Sequence, residues 1–589
     1  MSNGSLTEWS MSKHFDDYWS ECDQLRPVVD EDEAVNRPSD DEADWLRDAG
    51  FAFAIPDDVS EGGATDEVPG AGKHVRTLTR EQASALSRRL NQVHGRERHH
   101  KRREDVRDVF SHSVEDRPPI GMVKEHRFRK SHWHELSDTV ASLEVKGVQV
   151  IGYRGKDQQQ EEPISVFDDW TMQPGFDVNF RVTSHDQELP MVSLTDNPSG
   201  VARLNHLSPG DQRTVTSLTL MELSALYDQH GITYCRRKPT RRKALKDSHV
   251  VGVPLTTLME QDAHRGVGEE KPWVVSQILD YLERRGLQEE GILRVSGSAA
   301  RIDALKADVE TCYVRSPKKL PLVLERHGPH EVAALLKLIL RSLPEPLLTY
   351  KYMDAFLQVP QLPTLLNQLK ALNLLVLLLP APSRETLLAI VRFLDAVTRM
   401  EWKNKMSLSN VSMIMAPNLF TPKKHKATDD NLRLARLTTL ITSMLVCYQH
   451  LLWNVPSQFI DQIRLEYKVV KKHKSKKKEH QVKVGELRIQ VDNEIRPDAP
   501  AYTVKVNDAT TAGSVVGEVY LAMHFEERRK HILNSVSAEE AADVEAFLRH
   551  HSLFEVGGTI GWRQLEHTTN VLSVFRENPL AEWHVRRTS

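Results

Sequence analysis

Apolar residues recur at spacings of three and four between Gly252 and about Pro456, and this pattern constrains the central part of the chain to a helical fold. The periodic stretches are Pro272 to Arg285, Pro329 to Leu343, Thr364 to Leu379, Ser383 to Arg399, Leu408 to Met415 and Leu434 to Trp453. No strand pattern separates them. About 200 residues of amphipathic helix are enough to bury one core. The sequence therefore predicts an independent all-α domain over residues 252–456.

The remainder of the 589-residue chain leaves room for about three more units at ~150 residues each. Its four cysteines lie far apart without a CxxC pair, so neither a disulfide framework nor a zinc site is predicted. The longest apolar run, Leu372 to Leu379, is interrupted by Asn373 and is shorter than the ~18 residues of a membrane span. The first residues also lack a basic and apolar leader pattern. These features predict a soluble, cytoplasmic protein.

Opposed charge blocks mark the first 130 residues. Residues 1–70 carry 19 acidic against 4 basic side chains, and residues 71–130 carry 16 basic against 8 acidic. Such blocks are typical of solvated tails, so residues 1–130 are predicted to be largely disordered, acidic and then basic. Within them, Thr79 to Gln82 reads as a capping box before a short helix from about Arg80 to Val93. Its thin apolar stripe leaves docking on a partner as an alternative role.

Residues 131–251 give no clear period and are predicted to be a mixed region and linker. A helix is predicted at Ser208 to Tyr227, because Ser208 and Pro209 supply a cap and a first-turn proline. Leucines follow along this segment and give it an apolar surface with which to pack on the central domain.

Three strings within the central domain are unusual for mere packing. In Gly286 to Gly297, glycines bracket a loop in which Arg294 follows an Ile-Leu pair. In the string from Lys337 to Leu347, Lys337 and Arg341 are four residues apart and share one helix face. In the third string, from Asn404 to Leu419, amide side chains lie near the two ends of a helix. Each alone has an ordinary reading: surface cations in the first two strings and helix caps in the third.

Together, in this order and spacing, the strings resemble the Rho GTPase-activating protein (RhoGAP) domain, whose signatures are "GIFRxSG", "KxxxRxLPEPL" and "NKM…N…PNL". Leu293 stands where the family commonly has phenylalanine. The helix near 80–93, Glu222 to Tyr227 and the ending Glu555 to Trp583 further resemble the subfamily of Rho GTPase-activating proteins 18, 28 and 40, most of all member 40. The resemblance implies a RhoGAP-type helical fold for residues 252–456.

The resemblance also implies a mechanism. Arg294 would be an arginine finger inserted in trans into the nucleotide pocket of a Rho-family small GTPase in its GTP-bound state. Lys337, Arg341 and Asn418 would support the finger and the GTPase-facing surface, as would Asn410, whose position equally fits a structural helix start. The chain would have no cofactor or metal of its own, since GTP and Mg are bound by the partner. It would not itself be an enzyme, and it would lower Rho signalling to the actin cytoskeleton.

The main alternative is a catalytically weak Rho-binding scaffold or adaptor. A GTPase assay over several Rho-family members separates the two hypotheses, because only an activator accelerates hydrolysis.

A lysine-rich linker is predicted over residues 457–484, with seven lysines between Lys468 and Lys478. A solvated linker is one reading, and attraction to an anionic membrane, with recruitment to the plasma membrane, is the other. No nucleic-acid partner is expected, since aromatic stacking residues do not accompany the lysines. Residues 485–589 then follow a strand, strand, helix, strand order, which predicts a small α+β module. It is either ubiquitin-like, akin to Ras-association domains, or a plain α+β appendage that only packs on the helical core.

Overall fold

A computed structural model of the chain describes residues 41–52, 77–93, 180–183, 189, 191–194, 197–236, 249–421, 428–472, 485–497, 499–524 and 538–588. Most of the segment predicted to be disordered, and the lysines from residue 474 onward, lie outside the described residues.

Helices dominate the described residues up to 472. They are α1 (Asp41–Asp48), α2 (residues 80–93), α3 (Pro209–Gln229), α4 (Leu255–His264), α5 (Trp273–Arg285), α6 (Ala299–Arg315), α7 (Leu320–Leu324), α8 (Pro329–Ser342), α9 (Tyr350–Gln358), α10 (Leu365–Leu378), α11 (Ala381–Arg399), α12 (Glu401–Asn404), α13 (Leu408–Phe420), α14 (Thr428–Cys447) and α15 (Ser457–Lys472). Strands β1 (Phe180–Thr183) and β2 (Met191–Leu194) pair antiparallel, as do β3 (Ala202–Arg203) and β4 (Asn454–Val455). The predicted all-α fold is confirmed, and each predicted periodic stretch lies in a helix, although α14 ends at Cys447 rather than Trp453.

Helix α8 illustrates how the sequence sets these bounds. Pro329 occupies the first turn, where its missing N–H costs nothing. Val332, Leu336 and Leu340 then recur every four residues and are fully buried. The helix ends at Ser342, just before the Leu343-Pro344 pair, because the residue before a proline disfavours helical geometry.

Helix α3 lies inside the helical domain rather than on its surface. It is the helix predicted at Ser208 to Tyr227, and the Ser208 hydroxyl caps it by accepting from the N–H of Asp211 at 3.2 Å. Nearly every residue from Val215 onward is buried, between α10 on one side and α15 on another. The Tyr227 hydroxyl donates to the Ala355 carbonyl at 2.7 Å. The helix is thus a central element of the core that it was predicted to pack against.

The N-terminal helices dock on α3. The predicted capping box is present: the Thr79 N–H donates to Gln82 Oε1 at 3.1 Å, and the Gln82 N–H donates to Thr79 Oγ1 at 3.2 Å. Gln82 Nε2 also donates to Glu222 of α3 at 2.9 Å. In α1, which the sequence analysis did not single out, the Trp45 indole N–H donates to Ser224 at 2.9 Å. The apolar stripe of α2 is therefore covered by this chain's own core and is not left for a partner.

The C-terminal module is a mixed five-stranded sheet with helices against it. Its elements are β5 (Glu486–Val491), β6 (Tyr502–Lys505), α16 (Ala512–His524), α17 (Ala538–Leu548), β7 (His551–Val556), β8 (Trp562–Gln564), α18 (Val571–Glu577) and β9 (Glu582–Arg587). The strand order is β6-β5-β9-β7-β8, in which only β5 and β9 are parallel. Helix α16 packs on β6 and β7, and the module has a separate apolar core.

Buried polar contacts join the module to the helical domain. Arg464 of α15 donates to both carboxylate oxygens of Glu555 at 2.7 and 3.1 Å, and both side chains are almost fully buried. The Gly561 N–H donates to the Asp211 carboxylate at 2.9 Å. The first part of the predicted linker is therefore a packed helix, and the module rests on α3 and α15.

Within the described ranges, no helix combines the length and the apolar character needed to cross a membrane.

Candidate functional site

The Arg294 loop, residues 286–298, connects α5 to α6 and turns sharply at its centre. Gly291 has φ +69° and Leu293 has φ +70°, both in the left-handed region. The Arg294 N–H donates to the Gly291 carbonyl at 2.9 Å, which closes the turn. Ile292 and Leu293 are buried, whereas Arg294 is exposed. The loop thus anchors itself through two apolar side chains and presents the arginine to solvent.

Glycine is required at the turn for two reasons. The left-handed conformation of Gly291 favours it, and a Cβ there would lie 2.6 Å from Cγ2 of Val295. Leu293 adopts the same region without this freedom, at a cost of about 1–2 kcal/mol for an L-residue. Contacts around the loop must therefore stabilise this conformation.

Lys337 supplies one of those contacts. Its ammonium donates to the Leu293 carbonyl at 2.9 Å, and the side chain is only 6% exposed. This carbonyl belongs to the peptide bond that leads into Arg294. A charge-assisted hydrogen bond to a buried carbonyl is worth about 1.5–3 kcal/mol. Lys337 therefore holds the strained residue that aims the arginine.

Asn404 holds the other side of the loop. Its Nδ2 donates to the carbonyls of Leu287 at 2.9 Å and Val397 at 2.8 Å, and its Oδ1 accepts from the Met406 N–H at 2.9 Å. Its own carbonyl accepts from the Gly291 N–H at 2.7 Å. The residue is fully buried. Asn404 therefore ties the Arg294 loop to α11 and α12. This role is not predicted from the sequence, in which Asn404 reads as a helix cap.

The end of the loop rests on α8. A Cβ on Gly297 would lie 3.1 Å from Cγ of Glu331, so the backbone passes close to this buried glutamate. Glu331 forms an ion pair with Arg301 of α6 at 2.9 Å. The loop is thus supported by neighbouring elements at its start, centre and end.

The structure places the other predicted site residues on two packed helices. Arg341 lies one turn after Lys337 on α8 and is partly buried, and α8 packs against α13. Asn418 is fully buried in α13, where its Nδ2 donates to the Ile414 carbonyl at 2.7 Å. Asn410 is half-buried at the start of α13, and its N–H donates to Ser407 at 3.2 Å. The bonds described for Asn410 and Asn418 stay within α13 and do not reach the Arg294 loop.

Two family models match the chain. Residues 272–424 match the RhoGAP domain, and residues 487–588 match the RHG40-like, C-terminal ubiquitin-like domain. The predicted RhoGAP fold and ubiquitin-like module are thereby confirmed. The module also packs on the helical core, but it is not the plain appendage of the alternative reading.

Relatives match over nearly the whole chain. Mouse Rho GTPase-activating protein 18 is 30% identical over 99% of this chain and 90% of its own length. Mouse Rho GTPase-activating protein 40 is likewise 30% identical, over 99% of this chain and 89% of its own length. The crystal structure of human Rho GTPase activating protein 15 covers 36% of this chain and 99% of that chain, at 24% identity with a TM-score of 0.30.

Proposed function

Because the chain belongs to the family of Rho GTPase-activating proteins, we propose that it accelerates GTP hydrolysis by a Rho-family GTPase through Arg294. The substrate form is the GTP-bound GTPase. The chain completes the active site of its partner and performs no reaction alone. GTP and Mg²⁺ are held by the partner, and this chain contributes a cation and the surface that positions it.

The observation that supports this mechanism is an exposed arginine on a loop whose backbone is buried and held. In Ras-type and Rho-type GTPases, negative charge on the transferring phosphoryl group needs a cationic partner, and an arginine in trans is worth ~10³ to 10⁵ in rate. Arginine suits this role because its planar guanidinium stays charged and can donate to two oxygens at once. The Arg294 side chain is exposed to solvent, and the buried side chains of Ile292 and Leu293 anchor the loop, so the guanidinium can enter a pocket.

The remaining residues act by positioning. Lys337 fixes the Leu293 carbonyl and Asn404 fixes Gly291 and Leu287, so that Arg294 enters the pocket in one orientation. Such preorganisation contributes to rate because misplacement of a catalytic group is costly. By family resemblance, Arg341, Asn410 and Asn418 support the GTPase-facing surface around this loop.

By accelerating GTP hydrolysis, the protein lowers Rho signalling to the actin cytoskeleton. It acts from the cytoplasm. A Rho-type GTPase is lipid-anchored. The lysine run at residues 468–478 would attract this protein to the anionic surface of the plasma membrane.

Arg294→Ala tests the mechanism in single-turnover GTP hydrolysis over a panel of purified Rho-family GTPases. The stimulated rate should fall by about 10³-fold or more, while binding to the GTPase loaded with a non-hydrolysable GTP analogue is retained. Arg294→Lys should recover little, because lysine lacks the fork. Arg576→Ala, an exposed arginine of the C-terminal module, is the matched control. Undiminished stimulation by Arg294→Ala would remove this residue from the mechanism.

A further inference from the structure

Trp402 is the most exposed large apolar side chain in the part of the chain that the structure describes. It is 67% exposed, and the other exposed large apolar residues of this part are aliphatic. A tryptophan can bury 150–250 Å² on contact, as a rough general range. Tryptophan is enriched at protein interfaces, so a ring left this exposed is a candidate for contact with another molecule.

The position of Trp402 is fixed relative to the Arg294 loop. It lies in α12, two residues before Asn404, whose carbonyl accepts from the Gly291 N–H at 2.7 Å. The next residue, Lys403, donates from Nζ to Gln288 Oε1 of the loop at 2.6 Å. Lys405 Nζ in turn donates to the Trp402 carbonyl at 3.0 Å. The Trp402 ring therefore projects from α12, the helix that is hydrogen-bonded to the Arg294 loop.

We propose that Trp402 is an apolar anchor with which this protein docks on the GTPase beside the nucleotide pocket. The inference rests on the proposed function and adds a binding residue to it. Val295, next to Arg294 and 48% exposed, is a second exposed apolar side chain, on the loop itself. Tryptophan and arginine are the residue types that most often dominate the energetics of an interface.

The chemistry around the ring defines the surface that it fits. Lys403 lies 5.4 Å from the ring centroid, and Lys405 flanks the same turn. Exposed Glu401 precedes Trp402, so the ring is flanked by charges of both signs. The complementary face of the GTPase is thus an apolar recess with a polar border. A lipid surface is the less favoured occupant, because a membrane covering Trp402 would also cover the loop that has to enter the GTPase.

The test is Trp402→Ala in single-turnover hydrolysis, with the GTPase fixed and this protein varied. The concentration that gives half the maximal rate should rise by about tenfold or more, whereas the rate at saturation stays unchanged. Trp402→Phe should restore part of the affinity, and Trp402→Glu should weaken binding further, since burying an unpaired carboxylate in an apolar recess is costly. Leu580→Ala, an apolar residue of the C-terminal module that is 50% exposed, is the matched control.

The outcomes separate the two proposals. If the wild-type protein stimulates no GTPase of the panel, the proposed function and this inference both fall. If it stimulates one and Trp402→Ala leaves the half-maximal concentration unchanged, only the docking role of Trp402 is overturned. A third result would also overturn it: unchanged GTPase affinity with lost sedimentation on phosphatidylserine vesicles, which would assign the ring to a membrane.

Discussion

The substitution Lys337→Met tests whether Lys337 orients Arg294 or only stabilises the helical domain. Methionine keeps the apolar stem and approximate length of lysine, but it removes the ammonium that donates to the Leu293 carbonyl at 2.9 Å. That bond is charge-assisted and almost completely withheld from water, so its loss withdraws about 1.5–3 kcal/mol from the observed loop conformation. Leu293 is held at φ +70°, which favours release of the loop once the bond is gone.

The rate and the stability should respond differently. A loss of 1.5–3 kcal/mol lowers the ratio of productive to released loop by roughly 10-fold to 150-fold, and the hydrolysis rate at saturation should fall by up to the same factor. The free energy of unfolding should change little or even rise, because replacing a buried charge by an apolar side chain also removes its desolvation cost. The measurements are single-turnover hydrolysis with this protein in excess and urea unfolding of the same variant.

The control is Lys318→Met, an exposed lysine of the same domain. An unchanged saturated rate in Lys337→Met would refute the idea that Lys337 aims Arg294. A rate loss accompanied by an equal loss of folded protein would refute it as well, since the residue would then be only structural.

Two further predictions concern stability and membranes. Burial, with smaller contributions from Arg203 and Arg563, lowers the pKa of His206 from 6.5 to about 4. The unfolded chain therefore takes up the proton first as the pH falls, and stability should drop by roughly 2 kcal/mol between about pH 7 and pH 5. His206→Gln should flatten this dependence in urea unfolding at the two pH values, and an equally steep loss in the variant would contradict it. The second prediction replaces the four lysines of residues 474–478 by serine. Because each charge contributes ~1 kcal/mol to membrane attraction, sedimentation with phosphatidylserine vesicles should fall by about tenfold or more. Equal binding of the unsubstituted protein to pure phosphatidylcholine vesicles would argue against an electrostatic attraction.

Periodicity predicted the helices that bury one face, because a stripe of large apolar residues at three and four residue spacing is a strong local signal. Helix α6 escaped prediction since its fully buried residues are few, namely Leu305, Val309 and Tyr313, on an otherwise polar segment. Helix α1 is short and lies in an acidic block, and the charge of this block predicted a disordered tail. Trp45 and Leu46 nevertheless fill the core. Tertiary packing, which composition does not reveal, decides such cases.

Strands β5 and β6 of the C-terminal module were predicted from an alternating pattern, and their residues alternate between buried and exposed. Strand β8 escaped because it has three residues, too few to establish a period of two. Its place in the sheet is fixed by neighbours: the Leu565 N–H donates to the Leu553 carbonyl, and the Ser208 N–H donates to the Trp562 carbonyl. The second of these bonds comes from the helical domain, so one edge of the module depends on residues about 350 positions earlier.

The site shows the same division between local and long-range information. The local pattern of glycines and an Ile-Leu pair indicates that Arg294 projects, and the joint resemblance of the three strings to the RhoGAP domain singles it out from ordinary surface cations. Asn404 reads as a helix end, since the partners of its side chain lie at Leu287 and Val397 and its carbonyl binds Gly291, on separate elements. A residue that presents chemistry is visible in its own neighbourhood, whereas a residue that holds the presenting loop is visible only once the fold brings its partners together. Under the proposed function, further residues that orient Arg294 are therefore best sought among buried polar side chains that contact the loop backbone.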